Sequence, residues 1–266
     1  MKGMIGMKAL VTGATSGIGQ SIARKLAKRG WELILTGRNE EALKEMQKTL
    51  GKGTEIIAAD LAKKEEVFRV YKFCQGKEVD MLVNNAGYGL FGKFDETDLE
   101  DELNMINVNI TALHILTKLF LRDFKKQDHG TILNVASAAG FMSGPLMAAY
   151  YASKNYVLRL SLAIYEELRR DKSNVTITVL CPGPVATNFN NRAGVSFSVK
   201  PITADYAAEY ALHKAMTGKF FAVPGLTVRL GTWGARFVPH KLLSAIVYNI
   251  QQAKKTADGK EKALNK

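Results

Sequence analysis

The sequence predicts a single α/β domain, a doubly wound parallel sheet with helices on both faces. Short apolar runs of strand length alternate with amphipathic segments of helical period from residue 8 to about residue 187, and no repeat or linker interrupts them. A cluster of glycines follows the first apolar run directly, where the chain has to turn from strand to helix. A chain of 266 residues with 47% hydrophobic side chains suits one large core better than two.

Residues 8–12 form the first strand, and behind Gly13, Gly17 and Gly19 the residues Ile22, Ala23, Leu26 and Ala27 recur at helical spacing. Strand, glycine turn and helix N-terminus together aim backbone N–H groups at a phosphate, although this spacing differs from the common G-x-G-x-x-G fingerprint. The second strand, 32–36, ends at Gly37-Arg38-Asn39, ahead of a helix through Ala42, Leu43, Met46 and Leu50. An acidic side chain at that strand end would accept the ribose 2′-hydroxyl of NAD(H), and an arginine would accommodate a 2′-phosphate. Gly37 offers no carboxylate and Arg38 offers a planar cation, which favours NADP(H) over NAD(H), with Glu40 as the opposing charge nearby.

A third strand covers 55–60 and a fourth 79–83, which leads into Asn84-Asn85-Ala86-Gly87. Small residues there let the backbone approach a ligand; the two asparagines also read as turn formers. A helix over 103–124 carries Ile106, Ile110, Leu113, Leu116, Leu119 and Phe120, interrupted by Asn107 and Asn109. Asparagine inside a helix competes for backbone hydrogen bonds, so it needs a reason to be there. The fifth strand, 130–135, ends in small residues with one hydroxyl, Ser137, at the sheet edge where ligands bind. A helix then runs to about Arg170, a strand covers 175–180, and Cys181-Pro182-Gly183-Pro184-Val185-Ala186-Thr187 follows.

Residues 188–200 lack periodicity and mix glycine with Phe and Val, which reads as a lid loop over the site or as a disordered stretch. A helix over 204–216 and a last strand over 220–223 complete the alternation. The domain extends to 253, with 224–253 as a C-terminal extension and 254–266 as a lysine-rich, frayed tail. In the extension Leu242, Leu243, Ile246, Val247 and Ile250 form an apolar stripe behind Trp233, Arg236 and Phe237. Such a stripe packs into the core or an oligomer, or else meets a membrane or a lipid-like substrate.

Tyr150 and Lys154 stand four apart on the helix that runs to about Arg170, one turn along a single face. A phenol titrating near 10 is a poor base at neutrality, and an ammonium beside it would favour the phenolate. Tyr151 has Asn155 at the same spacing and lacks that partner.

Cys74 and Cys181 are far apart and the four histidines scattered, so neither a disulfide framework nor a metal site is expected. The first residues lack a signal-peptide pattern and no apolar run has spanning length, which suggests a cytoplasmic setting. The net charge of +12 is spread along the chain without a basic, aromatic-interleaved helix, which argues against nucleic-acid binding.

Thr12-Gly13-x-x-x-Gly17-x-Gly19, Asp60-Leu61, Asn84-Asn85-Ala86-Gly87, Asn109, Ser137, Tyr150-x-x-x-Lys154 and Pro182-Gly183-x-Val185-x-Thr187 together resemble the short-chain dehydrogenase/reductase family, over about residues 7–190. The chain's end is similar to the subgroup with ketoacyl and hydroxysteroid reductases. The resemblance implies a Rossmann-type fold and a metal-independent hydride transfer between NADP(H) and a secondary alcohol or ketone. It implies Tyr150 as general acid or base, Lys154 lowering its pKa and holding the nicotinamide ribose, Ser137 on the substrate oxygen, and Asn109 on a water linking Lys154 to solvent. Gly13, Thr15, Ser16, Gly17, Ile18 and Gly19 would carry the pyrophosphate, Asp60 and Leu61 the adenine, and Asn85, Ala86 and Gly87 the ribose. Pro182, Gly183, Val185 and Thr187 would meet the carboxamide end. Ser16 departs from the basic residue that many NADP-dependent members have there, so cofactor choice rests on Arg38. Met142, Leu146, Met147, Phe189, Val195 and Phe197 stand where the family builds its substrate pocket, which favours a bulky apolar substrate such as a steroid, a bile acid or a long acyl chain. The alternatives are a 3-oxoacyl-carrier reductase and a cofactor-binding regulatory or membrane-associated protein of low turnover. By analogy a homodimer or homotetramer is expected, with peripheral membrane contact through the C-terminal helix as a further expectation.

Overall fold

Alternation of side chains across each strand decides how this chain folds. Ala9 and Val11 point to one side of the sheet and Leu10 to the other; Leu33 and Leu35 oppose Ile34 in the same way. Both sides are apolar, so both must be covered. The computed structural model describes residues 6–187 and 201–264. Its strands are β1 (Lys8–Thr12), β2 (Glu32–Gly37), β3 (Thr54–Ala58), β4 (Met81–Asn84), β5 (Gly130–Val135), β6 (Val175–Leu180), β7 (Val185–Ala186), β8 (Ile202–Thr203) and β9 (Phe221–Ala222). Seven of them form one parallel sheet in the order β3-β2-β1-β4-β5-β6-β9, and β7 pairs with β8 beside it. This is the Rossmann-type, doubly wound sheet that the sequence predicts.

Helices α1 (Gly17–Lys28), α2 (Glu40–Leu50) and α3 (Lys64–Cys74) follow the first three strands. After β4 come α4 (Leu99–Ile106), a π-helical turn (Asn107–Ala112) and α5 (Leu113–Gln127) as one continuous run. The expected helix over 103–124 therefore begins earlier and changes winding where its two asparagines lie. Next are α6 (Ala148–Arg170), α7 (Ala204–Met216), α8 (Leu226–Gly234) and α9 (His240–Leu264). One core packs Ile22, Leu26, Leu43 and Leu212 against one side of the sheet, and the other packs Val70, Leu116, Phe120, Phe124 and Val157 against the opposite side. The backbone of α9 continues to Leu264, through the lysine-rich stretch expected to fray. Its apolar stripe divides: Leu243 and Val247 are buried, while Leu242, Ile246 and Ile250 are exposed.

Candidate active site

Between β1 and β4 the chain reverses the direction in which it lays down strands, so the loops at their carboxyl ends diverge. Open α/β sheets bind ligands in that crevice. Here it is a cleft of about 740 Å³, within the range of roughly 300–1,000 Å³ usual for small-molecule sites.

One arm of the cleft is the glycine turn and the first turn of α1. Gly13 has φ +62°, in the left-handed region, and a Cβ there would lie 2.9 Å from the Ala86 Cα. At Gly19 a Cβ would come within 2.3 Å of Asn85 Nδ2 and 2.4 Å of the Gly13 carbonyl. Asn85 fastens the turn from the neighbouring strand: Nδ2 donates to the Thr12 and Gly13 carbonyls, each at 3.0 Å, and Thr12 Oγ1 accepts from Asn85 N at 2.9 Å and Ala86 N at 3.0 Å. A helix N-terminus behind a turn that only glycine can make fits the pyrophosphate of a dinucleotide. Asn84, in contrast, is buried away from the cleft, where its Nδ2 donates to Thr117 Oγ1 at 3.0 Å and Asn134 Oδ1 at 2.9 Å. At the far end of this arm sit Arg38, Asp60 and Leu61. Arg38 is exposed and has no ion pair among the described residues, because Glu40 pairs with Lys44 at 2.7 Å instead.

The other arm holds Ser137, Tyr150 and Lys154. Tyr150 lies on the first turn of α6, and a side-chain hydrogen bond joins it to Ser137. Ser137 Oγ also accepts from Ala139 N at 3.1 Å, capping a 3-10 turn over Ala138–Phe141. Lys154 Nζ donates to the Val135 carbonyl at 3.0 Å and lies 5.9 Å from the centre of the Tyr150 ring. Desolvation dominates both groups. It pushes the Tyr150 phenol up to about 12, with the Ser137 bond pulling the other way, and brings the Lys154 ammonium down to about 8, opposed by nearby Cys181. The phenol is therefore raised, not lowered as expected from a neighbouring ammonium, and the hydrogen bond that Lys154 makes here goes to a β5 carbonyl.

Asn109 is fully buried in the π-helical turn, a form of helix frequent at functional sites. Its Nδ2 donates to the Tyr88 carbonyl at 2.9 Å and to Ser153 Oγ at 3.0 Å, and its Oδ1 accepts from Tyr88 N at 3.1 Å. Ser153 Oγ in turn donates to the Tyr150 carbonyl at 2.7 Å, so Asn109 is tied to the backbone of α6. A Cβ on Gly87 would sit 2.9 Å from Asn109 Oδ1 and 3.3 Å from Lys154 Nζ, so both atoms border one small space.

The family model described as short chain dehydrogenase matches residues 7–195, more than two thirds of the chain and all of this cleft except its C-terminal wall. The chain belongs to the short-chain dehydrogenase family. It is 35% identical over 211 residues to a very-long-chain 3-oxoacyl-CoA reductase of Anas platyrhynchos, spanning 76% of this chain and 67% of that one. Among solved structures, a short-chain dehydrogenase from Sphingobium yanoikuyae in complex with NADPH is 28% identical with a TM-score of 0.79, covering 87% of this chain and 94% of that one. A short-chain dehydrogenase/reductase from Burkholderia phymatum in complex with NAD is 25% identical, also with a TM-score of 0.79, covering 88% and 94%. The dehydrogenase is thus an oxidoreductase that works with a nicotinamide cofactor.

Most residues singled out from the sequence line the cleft of this dehydrogenase: Gly13, Thr15, Ser16, Gly17, Ile18, Arg38, Asp60, Leu61, Asn85, Ala86, Gly87, Ser137, Met147, Tyr150, Lys154, Pro182, Gly183, Val185 and Thr187. Gly19 and Asn109 stand just behind its wall. Met142 and Leu146 are not in its lining. Leu146 has φ +66°, its carbonyl accepts from Gly92 N at 2.8 Å, and its side chain lines a smaller cavity with Leu90 and Phe91. The Met142 carbonyl is held by Asn155 Nδ2 at 2.9 Å. Phe189, Val195 and Phe197, with the lid loop of 188–200, lie outside the described residues. Sequence reasoning missed Tyr88, Val108, Tyr151 and Gln251, all in the wall, and had Ile250 only as part of the C-terminal stripe. Tyr151, set aside for want of a lysine, accepts from Gln251 Nε2 at 2.7 Å across 100 residues of chain, a separation that no local pattern signals.

Proposed function

We propose that this dehydrogenase interconverts a secondary alcohol and a ketone with NADP(H), on a bulky apolar substrate of the steroid, bile-acid or long-chain 3-oxoacyl class. The observation that carries the reading is the Ser137–Tyr150 hydroxyl pair, hydrogen-bonded together in the same cleft as the glycine turn. When bound, the nicotinamide supplies or accepts the hydride. Ser137 and Tyr150 hold the substrate oxygen between them, so negative charge that develops there in reduction meets two donors. A phenol pushed up to about 12 keeps its proton at neutral pH, which suits Tyr150 as the acid in ketone reduction. Lys154, at about 8, is mostly charged at pH 7 and stabilises the phenolate left once that proton is given. The space between Asn109 Oδ1 and Lys154 Nζ has the polar lining to hold a water that returns a proton from solvent.

Arg38, without an ion pair among the described residues and exposed at the adenosine end, supports NADP(H) over NAD(H). Tyr88, Val108, Met147, Tyr151 and Ile250 give the substrate arm its apolar walls. Pairing of two copies through α5 and α6, where Tyr156 is exposed, is our reading of the assembly. A second substrate reading, a 3-oxoacyl group on an acidic carrier, is favoured by the net charge of +12.

The test is loss of NADPH absorbance with a panel of steroid, bile-acid and long-chain 3-oxoacyl ketones, repeated with NADH. Tyr150→Phe should lower turnover by roughly 10²–10⁴-fold and leave nucleotide affinity intact. Turnover at the wild-type rate would remove the mechanism, and NADPH binding without reduction of any ketone would favour a regulatory role.

A further inference from the structure

Leu226, Leu230, Trp233 and Phe237 succeed one another at steps of four, three and four along α8 and the turn that follows it, which places them on one face. Each is 60–70% exposed, and the Trp233 and Phe237 rings meet edge to face with centroids 4.9 Å apart. The outer stripe of α9, Leu242, Ile246 and Ile250, is exposed as well. Single exposed apolar residues are ordinary on a soluble surface; a run of this kind with an aromatic pair marks an interaction site.

Charge identifies the partner. Residues 210–257 contain no Asp or Glu but seven Lys and Arg. Arg229, Arg236 and Lys241 are exposed around the apolar residues, and none of them has an ion pair among the described residues. In a contact between two copies through this face, the face would meet itself and bring these cations together with no Asp or Glu of residues 210–257 to pair them. An anionic lipid surface supplies what they lack: phosphate for Arg and Lys, and an interfacial region where tryptophan is favoured. Among the described residues no helix is long and apolar enough to cross a membrane, so these helices would lie on the surface.

We propose that α8 and the exposed stripe of α9 dock this protein on an anionic lipid bilayer, beside the mouth of its cleft. Ile250 belongs both to the exposed stripe and to the cleft wall, so the docked face opens the cleft toward the acyl chains. Docking itself does not depend on which ketone is reduced.

The test is co-sedimentation with phosphatidylcholine vesicles, with and without phosphatidylglycerol, followed also by tryptophan emission. Of the two tryptophans, Trp31 is buried and Trp233 exposed, so a blue shift on binding reports the face. The full chain should pellet with the anionic vesicles and shift blue. About 0.5 M salt, or Leu230→Ser/Trp233→Ser/Phe237→Ser, should reduce pelleting about tenfold. NADPH binding by the triple variant shows that it is folded. Wild-type protein that stays in the supernatant overturns the proposal, as does a dimer that the triple variant converts to monomer while neither protein binds vesicles.

Discussion

Lys154→Met tests whether the buried ammonium is held at the expense of stability. Burial brings Lys154 from 10.5 to about 8. At about 1.4 kcal/mol for each tenfold change in proton affinity, the charge costs about 3 kcal/mol at neutral pH. Methionine has similar length and no charge, but it leaves the Val135 carbonyl without its donor at 3.0 Å, which returns about 1 kcal/mol. The variant should therefore be about 2 kcal/mol more stable at pH 7 while turnover collapses. The folded-state pKa lies below the unfolded one, so the unfolded chain binds more protons between about 8 and 10.5, and wild-type stability contributed by this group rises through that window. By about pH 9.5 most of the penalty has gone and the two proteins should unfold at nearly the same urea concentration. Other titrating groups are common to both proteins and cancel in the difference. A variant less stable at pH 7, or a gap that does not change with pH, would refute the reasoning.

Arg38→Ala should weaken NADPH binding about 10–100-fold and leave NADH unchanged, as loss of a charged hydrogen bond requires; equal loss for both would place Arg38 outside 2′-phosphate recognition. Gly19→Ala drives a methyl to 2.3 Å from Asn85 Nδ2 and 2.4 Å from the Gly13 carbonyl, so nucleotide affinity measured by calorimetry should fall and unfolding should come about 1–3 kcal/mol sooner. Wild-type affinity would show that the turn adapts. Asn109→Ala leaves the N–H and carbonyl of Tyr88 without their side-chain partners and should lower stability by about 2–4 kcal/mol in urea titration; an unchanged midpoint would show that this clamp contributes nothing.

The sheet was legible because strand and helix periods are local properties of the chain. So was the spacing of Tyr150 and Lys154, for the same reason. The sign of the pKa change at Tyr150 was not, since four residues of helix reveal a neighbour but not how much water surrounds it. Asn107 and Asn109 signalled an irregular helix; the π winding followed from where the Asn109 amide finds partners, on Tyr88 and Ser153. The stripe on α9 read as one apolar face, whereas Leu243 packs inward and Leu242 does not, a division set by how the helix is rotated on a surface built elsewhere in the chain. Leu146 lies beside Leu90 and Phe91 outside the cleft lining, with a left-handed backbone that leucine seldom adopts and that no local pattern signals.

The bond between Gln251 and Tyr151 joins the last helix to the one that carries Tyr150 and Lys154. The glycine turn, Arg38, Asp60 and Asn85 all precede Thr187, whereas Ile250 and Gln251 bring part of the opposite wall from the final helix. Ile250 and Gln251 thus reach the wall from a stretch that contributes nothing to the glycine turn. Substitutions in α9 can therefore reshape this part of the wall while the glycine turn, fastened by Asn85, keeps its form.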